Sequence, residues 1–574
     1  MTGAAKKKLP IGIQTFADMA SGEYYYVDKT AHIYQLVEQG RYFFLSRPRR
    51  FGKSLLIDTI KTLFEGREEL FCGLHIHDKW DWQQSHPVIR LSFADGVIQN
   101  RSQLDTHILE LLEETAERLG ISLYNTSIPG RFRELIYKAH EHHCARAVVL
   151  IDEYDKPILD NITAPNRARE LREGLKNLYS VLKDADPHLR FCLLTGVSKF
   201  SKVSLFSGLN NLRDITLSTD YSTICGYTDT DVDSVFAAEL PGLDREQIRR
   251  WYNGYSWADQ QNAAVYNPFD LLLLFQERRF APYWFESATP TFLVELLAER
   301  GIYTPSLTNW QSRPALLSRF DVEQISTEAL LFQTGYLTLV GSREIVPNKP
   351  IYQLALPNYE VECSLNEALL PVLGISDDAL DEIVLKLPQL LQSNDMAGLE
   401  EYFKALYASL PHDWYRNNPI ARYEGHYASV FYSHFAALGL DVTVEDSSNT
   451  GKVDMSVDFN GTIYLFEFKV VEQVPTGKAL QVASINSPGA ISCPSVEDAV
   501  NPSLEASWRH PWRQDLHTGE ANGAGGVYRG TLQQLKDKGY AAKYLGEGKP
   551  IYLIGVEFSR EQRQIVGFEV EQMN

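Results

Sequence analysis

Short apolar runs alternate with helical spacings through the first part of the chain. Tyr42-Phe43-Phe44-Leu45, Ala147-Val148-Val149-Leu150-Ile151 and Phe191-Cys192-Leu193-Leu194 are nearly continuous in apolar residues, the pattern of strands covered on both faces. After the first run, Leu56, Ile57, Ile60, Leu63 and Phe64 recur at helical spacing. Such alternation from about residue 40 to 220 predicts a parallel α/β domain. From about 225 to 410 the pattern turns mainly helical, as in Leu271–Phe275 and Leu385–Leu391, with a short strand pair near Gly335–Val340 and Ile351–Leu356. A second α/β unit begins near 418. There Tyr427, Val430, Phe431, Phe435 and Leu438 trace one helix face, and Val453–Phe459 alternates with period two. Residues 485–527, rich in Ser, Pro, Asn and Gly, read as a long irregular insertion. The expected class is α/β, divided as 1–225, a mainly helical 226–410, and 411–574.

Composition narrows the picture. At 574 residues one hydrophobic core does not suffice, and roughly three or four domains of about 150 residues are expected. The aliphatic run Leu271–Leu274 is far short of a ~20-residue membrane span, and Lys6, Lys7 and Lys8 precede no apolar run. Neither a membrane partner nor a signal peptide is expected. Cys72, Cys144, Cys192, Cys225, Cys363 and Cys493 stand apart, which argues against a disulfide framework or zinc knuckle and fits a cytoplasmic protein. A formal charge of −19 disfavours general affinity for nucleic acid but is compatible with a local basic channel.

Candidate chemistry begins at Ser46-Arg47-Pro48-Arg49-Arg50-Phe51-Gly52-Lys53-Ser54, between the first strand and its helix. Strand, loop, Gly-Lys-Ser, helix is the order a phosphate loop needs. Backbone N–H groups of Arg49, Arg50, Phe51 and Gly52 face the phosphates, Lys53 reaches the outer ones, and Ser54 holds magnesium. The general pattern has glycine where Arg47 stands; Arg47, Arg49 and Arg50 either add positive charge there or meet another polyanion. The strand ending at Ile151 runs into Asp152-Glu153. Ligands sit at the carboxyl ends of parallel strands, so Asp152 is expected at the same magnesium and Glu153 at the attacking water. Thr195, closing the next strand, is placed to sense the terminal phosphate. Arg213 is a candidate arginine finger without an assigned position. Each motif alone has a plainer reading, a chance loop and a strand-end cap. Their order favours a nucleoside triphosphate, ATP with Mg2+.

The C-terminal half permits a geometric argument. Asn460-Gly461 is the strongest two-residue hairpin signal, and it pairs Phe459 with Thr462 at the start of the returning strand Thr462–Val471. That register sets Asp454 across from Glu467, with Cβ atoms about 4.5–5.5 Å apart, and Lys469 on the same face. Facing carboxylates repel, and a divalent cation between them, Mg2+ or Mn2+, removes the penalty. Lys469 is then placed either to orient the attacking water or to stabilise the charge that develops at phosphorus, and Glu424, in the first turn of the preceding helix, is a third acid for the same site. A solvent-exposed strand face carrying two acids and a balancing lysine is the competing reading.

Both halves resemble one family, the prokaryotic proteins that join an AAA-ATPase-like domain to a C-terminal PD-(D/E)XK nuclease domain. The likeness over residues 9–270 rests on Leu9-Pro10-Ile11-Gly12, Tyr26-Val27-Asp28-Lys29-Thr30, Arg47 to Ser54, Leu150 to Asp155, Leu194 to Phe200 and Trp251-Tyr252-Asn253-Gly254-Tyr255. The Arg-Pro-Arg-Arg-Phe-Gly-Lys-Ser form belongs to that family, which accounts for Arg47 in the glycine position. Phe332 to Leu337 and Pro357 to Val361 are similar to its middle region. The resemblance implies that Glu424 is the helix acid, Asp454 the aspartate and Glu467-Phe468-Lys469 the Glu-x-Lys strand. Gln534-Leu535-Lys536 with Gly539-Tyr540 resembles the helix that follows, here displaced by the insertion.

The expected function is ATP binding and hydrolysis joined to metal-dependent cleavage of phosphodiester bonds. The alternative is a nucleotide-gated switch or scaffold whose nuclease-like domain binds partners or nucleic acid without cutting. DNA and RNA both remain open as partners, and the sequence does not set the oligomeric state. His75 with His77, and His142-His143-Cys144, lack residues nearby to complete a tetrahedral metal set and read as surface or capping groups. Trp508, Arg509, His510, Trp512 and Arg513 interleave aromatic and basic groups within the insertion; a folded patch is favoured there over single-strand stacking.

Overall fold

The computed structural model describes residues 6–199, 211–258, 264–288, 293–294, 296–297, 300, 304–317, 326–347, 349–371, 375, 377–409, 424–448, 451–471, 530–559, 562 and 564–573. The insertion 485–527, with Trp508 to Arg513, and the side chain of Glu424 lie outside the described residues. The chain forms two compact units, Met1–Gln389 with Leu410–Val444, and Leu390–Ser409 with Glu445–Asn574.

In the first unit, β1 (Tyr42–Ser46), β2 (Val88–Ser92), β3 (Ala147–Asp152), β4 (Leu189–Gly196) and β5 (Arg213–Asp214) form a parallel sheet in the order β2-β3-β4-β1-β5. Every residue of β1 and β3 is buried, which explains their unbroken apolar spelling. The helix Lys53–Phe64 covers the sheet with Leu56, Ile57, Ile60, Leu63 and Phe64. The helices Arg101–Arg118 and Ile128–His143 begin at side-chain caps, Asn100 accepting from the Gln103 N–H and Ser127 from that of Gly130. Ser46 pairs with Gly196, and Ile151 with Leu194, so β1, β4 and β3 end along one edge. That edge is where the predicted nucleotide residues meet.

Further along the first unit, β6 (Trp310–Ser312), β7 (Thr338–Val346) and β8 (Lys349–Ala355) form a small antiparallel sheet in the order β6-β8-β7, among helices that include Pro268–Glu277, Thr327–Thr334 and Tyr359–Leu369. The helix Glu424–Ala437 packs against Tyr359–Leu369, where the Tyr432 hydroxyl donates to Glu362 Oε1 at 3.2 Å.

The second unit is built on a sheet of β9 (Asp441–Ser448), β10 (Gly451–Phe459), β11 (Thr462–Val471), β12 (Ile551–Ser559) and β13 (Gln564–Met573), ordered β13-β12-β11-β10-β9. β10 and β11 form the expected hairpin, Phe459 pairing with Thr462, and both turn residues adopt positive φ, 49° at Asn460 and 76° at Gly461. A type I′ turn requires this. β12 then runs parallel to β11, with Gly555 beside Glu467 and Glu557 beside Lys469. Among the described residues, no helix is long and apolar enough to cross a membrane, and the five described cysteines are free.

Candidate functional site

At the edge of the first sheet the loop between β1 and its helix is held by its own side chains. Arg50 (φ 68°) and Gly52 (φ 89°) take left-handed conformations that turn the chain into the helix. Lys53 is buried, and its ammonium donates to the carbonyls of Arg47 (2.9 Å) and Pro48 (2.8 Å). Burial lowers its pKa, against the pull of Glu153, Asp152 and Asp155. Thr195 Oγ1 donates to Asp152 Oδ1 at 2.7 Å, and the Glu153 N–H donates to the same oxygen at 3.1 Å. β4 thus lies between the lysine strand and the aspartate strand, and Thr195 bridges toward Asp152. Ser54 is half-buried in the helix's first turn, and Glu153 sits at φ 50°.

The three loop arginines separate. Arg47 is fully buried; its guanidinium donates to the carbonyls of Ser46 (2.8 Å), Thr216 (2.9 Å) and Tyr221 (3.0 Å) and stacks 4.1 Å from the Trp257 ring centre. It is a brace for the loop and faces no polyanion. Arg49 is half-buried, 3.7 Å from Asp160, while Arg50 is exposed over the Phe269 ring. Phe51 is buried edge-on to Tyr255 and Trp257, and Trp284 Nε1 donates to the Arg49 carbonyl at 3.0 Å. Arg213 does not extend beyond the strand ends: it pairs with Phe43, and its guanidinium donates to Gln39 at 3.0 Å. We expect Arg47→Ala to cost on the order of 3–5 kcal/mol, because it takes a donor from each of three carbonyls and leaves a cavity where the buried guanidinium stood. A denaturant midpoint for the first unit close to that of the parent would contradict this.

In the second unit the hairpin ladder runs from Phe459↔Thr462 to Met455↔Phe466. Carried one step further, the register sets Asp454 across from Glu467. There the ladder opens, and the Phe468 N–H donates to Asp454 Oδ2 at 2.8 Å. Glu467 is buried, and its Oε1 accepts from Gln534 Nε2 at 2.6 Å. The helix Thr531–Lys538 is laid on this face by sequence-specific means. Its first N–H and the Thr531 hydroxyl donate to Glu557 Oε1 (3.2 and 2.9 Å). It also crosses Gly555 so closely that a Cβ there would stand 2.5 Å from the Leu532 nitrogen. One face therefore carries Asp454, Glu467, Lys469, Glu557 and Gln534. Burial pushes the Asp454 carboxyl up to about 6, the Phe468 N–H and the Lys538 charge acting against it.

Comparison with known proteins fits both halves. Residues 10–206 match the family model described as a predicted AAA-ATPase, and residues 422–486 match that of the PD-(D/E)XK nuclease superfamily. Over 570 residues the chain is 55% identical to an uncharacterized protein in the vnfD 5' region of Azotobacter chroococcum mcd 1, spanning 99% of this chain and 100% of that one. The chain belongs to this AAA-ATPase-like, PD-(D/E)XK family. The expected α/β class and the suspected pairing of the two domains both hold.

In the nuclease-superfamily domain the donor set suits a hard cation. Among the described residues no group of three or more His, Cys, Asp or Glu is arranged to hold a metal ion. The acids of this face are Asp454, Glu467 and Glu557, the last engaged by Thr531, with no imidazole or thiolate among the described residues of the face; magnesium is typically held by one or two carboxylates and keeps several waters. The histidine pairs do not gather ligands either: His75 meets Lys79, and His77 meets Asp78 at 3.1 Å and Cys72 at 3.6 Å. In the AAA-ATPase-like domain, Ser54 lies in the first turn of the helix that follows the Arg47–Gly52 loop and Asp152 ends β3, two oxygen donors at the same sheet edge.

Sequence reasoning missed a buried acid pair. Asp270 and Glu360 are both fully buried, and Glu360 Oε1 accepts from the backbone of Trp284 (2.9 Å) and Phe285 (3.0 Å), the Trp284 whose indole also bonds the Arg49 carbonyl. A proton shared between the two carboxyls accounts for Asp270 oxygens that otherwise lack a hydrogen-bond partner among the described residues. Burial raises both, Glu360 to about 7. A carboxyl raised above its unfolded value of 4.5 contributes stability that is full below that value and is lost as pH climbs through about 7. Glu360→Gln keeps the acceptor and removes this loss. Relative to the parent, the variant's melting temperature should rise between about pH 5 and pH 8. An unchanged difference across that range would refute the shared proton.

Proposed function

We propose that the chain is an ATP-regulated, metal-dependent nuclease. In the AAA-ATPase-like domain, residues Arg49 to Gly52 wrap the phosphates with backbone N–H groups, and Lys53 leaves the loop carbonyls for the outer phosphates. Ser54 and Asp152 take the magnesium, Glu153 orients the attacking water, and Thr195 links Asp152 to the terminal phosphate. In the second domain Asp454 and Glu467 take magnesium or manganese. That ion supplies Lewis-acid stabilisation of charge developing at the phosphodiester. The Phe468 N–H fixes the Asp454 carboxylate, Gln534 fixes that of Glu467, and Lys469 donates to the attacking water. The family pattern gives Glu424 the role of the helix acid.

The observation that carries the reading is the 2.6 Å bond from Gln534 to Glu467, which ties a helix beyond the insertion to the strand acids. A merely solvated strand face has no reason for it. The free thiols are in keeping with a reducing cytoplasm. The net charge of −19 favours the second reading, a nucleotide-gated scaffold that does not cut. Plasmid, linear DNA and RNA incubated with the purified chain, in manganese or magnesium and with or without ATP, separate the two. Nicking or degradation that depends on metal is the expected result; intact substrates in every lane, with ATP still turned over, would favour the scaffold.

A further inference from the structure

The helix Thr531–Lys538 brings more than Gln534 to the acid face. Lys538 lies four residues beyond Gln534, so the two side chains share one face of the helix, with Cβ atoms about 5–6 Å apart. The helix ends there, because Gly539 turns left-handed at φ 63°. Tyr540 is buried, and its hydroxyl stands 3.1 Å from where a Cβ of Gly451 would be, at the head of the strand that carries Asp454. The Lys538 ammonium rests 5.4 Å from the centre of that Tyr540 ring. The other lysine of the helix is engaged elsewhere, Lys536 pairing with Glu571 at 2.8 Å. Lys538 is solvent-exposed and, among the described residues, forms no ion pair at contact distance. Its charge nonetheless feels both acids. Burial acts to lower its pKa, and the bond to Tyr540 with the fields of Glu467 and Asp454 more than reverses this.

A flexible ammonium beside two carboxylates normally closes onto one of them. Here the ammonium lies over the Tyr540 ring, four residues along the helix from the Gln534 that bonds Glu467, and is open to solvent. That is the position for a group whose partner is an anion arriving from outside. We propose that Lys538 is a second phosphate-binding lysine of the nuclease-like site, donating to a non-bridging oxygen of a nucleic-acid phosphodiester while Lys469 serves the attacking water. The inference rests on the nuclease reading of the same face, and no bond is made or broken by Lys538 itself.

The test uses the full chain with Lys538→Met and Lys538→Arg, beside Lys469→Ala. In manganese, Lys538→Met should lower kcat by roughly 10²-fold with a smaller change in KM. Lys538→Arg should recover at least tenfold of that, and the melting temperature should stay within a few degrees of the parent. Cleavage by Lys538→Met within twofold of the parent, with Lys469→Ala inactive, overturns the role of Lys538 and leaves the nuclease reading standing. Equal loss in Met and Arg variants with lowered melting temperatures also overturns it, since that marks a structural role. If the parent does not cut at all, oligonucleotide affinity in calcium decides. A fivefold or greater weakening by Lys538→Met keeps the phosphate contact and removes the nuclease reading, and unchanged affinity removes both.

Discussion

Lys469→Ala is expected to lower phosphodiester cleavage by about 10³-fold, close to 4 kcal/mol of transition-state stabilisation, while ATP binding is untouched. The magnitude follows from placement. Lys469 stands two residues from Glu467 on β11, beside Glu557 of β12, on the face covered by the Gln534 helix. A donor fixed on a strand needs no reorganisation when charge develops, and its loss is not made good by water. Half-buried on its strand, it is not a core side chain, so the variant should fold and melt like the parent. Single-turnover cleavage with excess enzyme isolates the chemical step. If Lys469→Ala cuts DNA as fast as the parent, the assignment of this face as catalytic is wrong.

The second large effect is expected at Lys53. Replacing it with alanine should weaken ATP binding by about 10²-fold or more, near 2.7 kcal/mol, because charge-assisted bonds to phosphate contribute most there. Its two bonds to the Arg47 and Pro48 carbonyls are lost as well, but the loop retains the Arg47 brace and the Trp284 bond. Removing a buried ammonium also relieves its desolvation, so stability should change little. Calorimetric titration with ATP and magnesium measures the affinity, and a thermal melt checks the fold. Parent-like affinity in a folded variant would take the nucleotide site away from this loop.

Some of this was written plainly in the sequence. The buried strands β1, β3 and β4 are spelled in apolar runs, and Asn460-Gly461 fixes the hairpin register that lines Asp454 up with Glu467. Other features had no local signal. Nothing in the spelling of β4 says that it lies between β1 and β3; strand order depends on long-range packing. β6, three residues long, is too short to show a period, and β7 runs on to Val346 through Ser342-Arg343-Glu344, polar residues that interrupt the apolar pattern. Asp270 and Glu360 were illegible because an acid in a helix reads as a solvent-facing residue until burial is known. The Gln534 helix was recognisable by likeness, yet only the fold reveals that Gly555 and Glu557 seat it. Lys538 does carry a local signal, its spacing of four from Gln534 on one helix face.

The arginine brace described above has a genetic corollary. Contacts from Thr216, Tyr221, Trp257 and Trp284 secure a loop that lies far earlier in the chain, and Gly335 leaves room for its Pro48. Residues 41–64 moved alone onto a foreign sheet would arrive without those supports and should not reproduce the cradle. Conversely, on the proposed nucleotide reading, a screen for loss of ATP response should return alleles at Trp284 or Gly335, positions outside the proposed nucleotide-binding set.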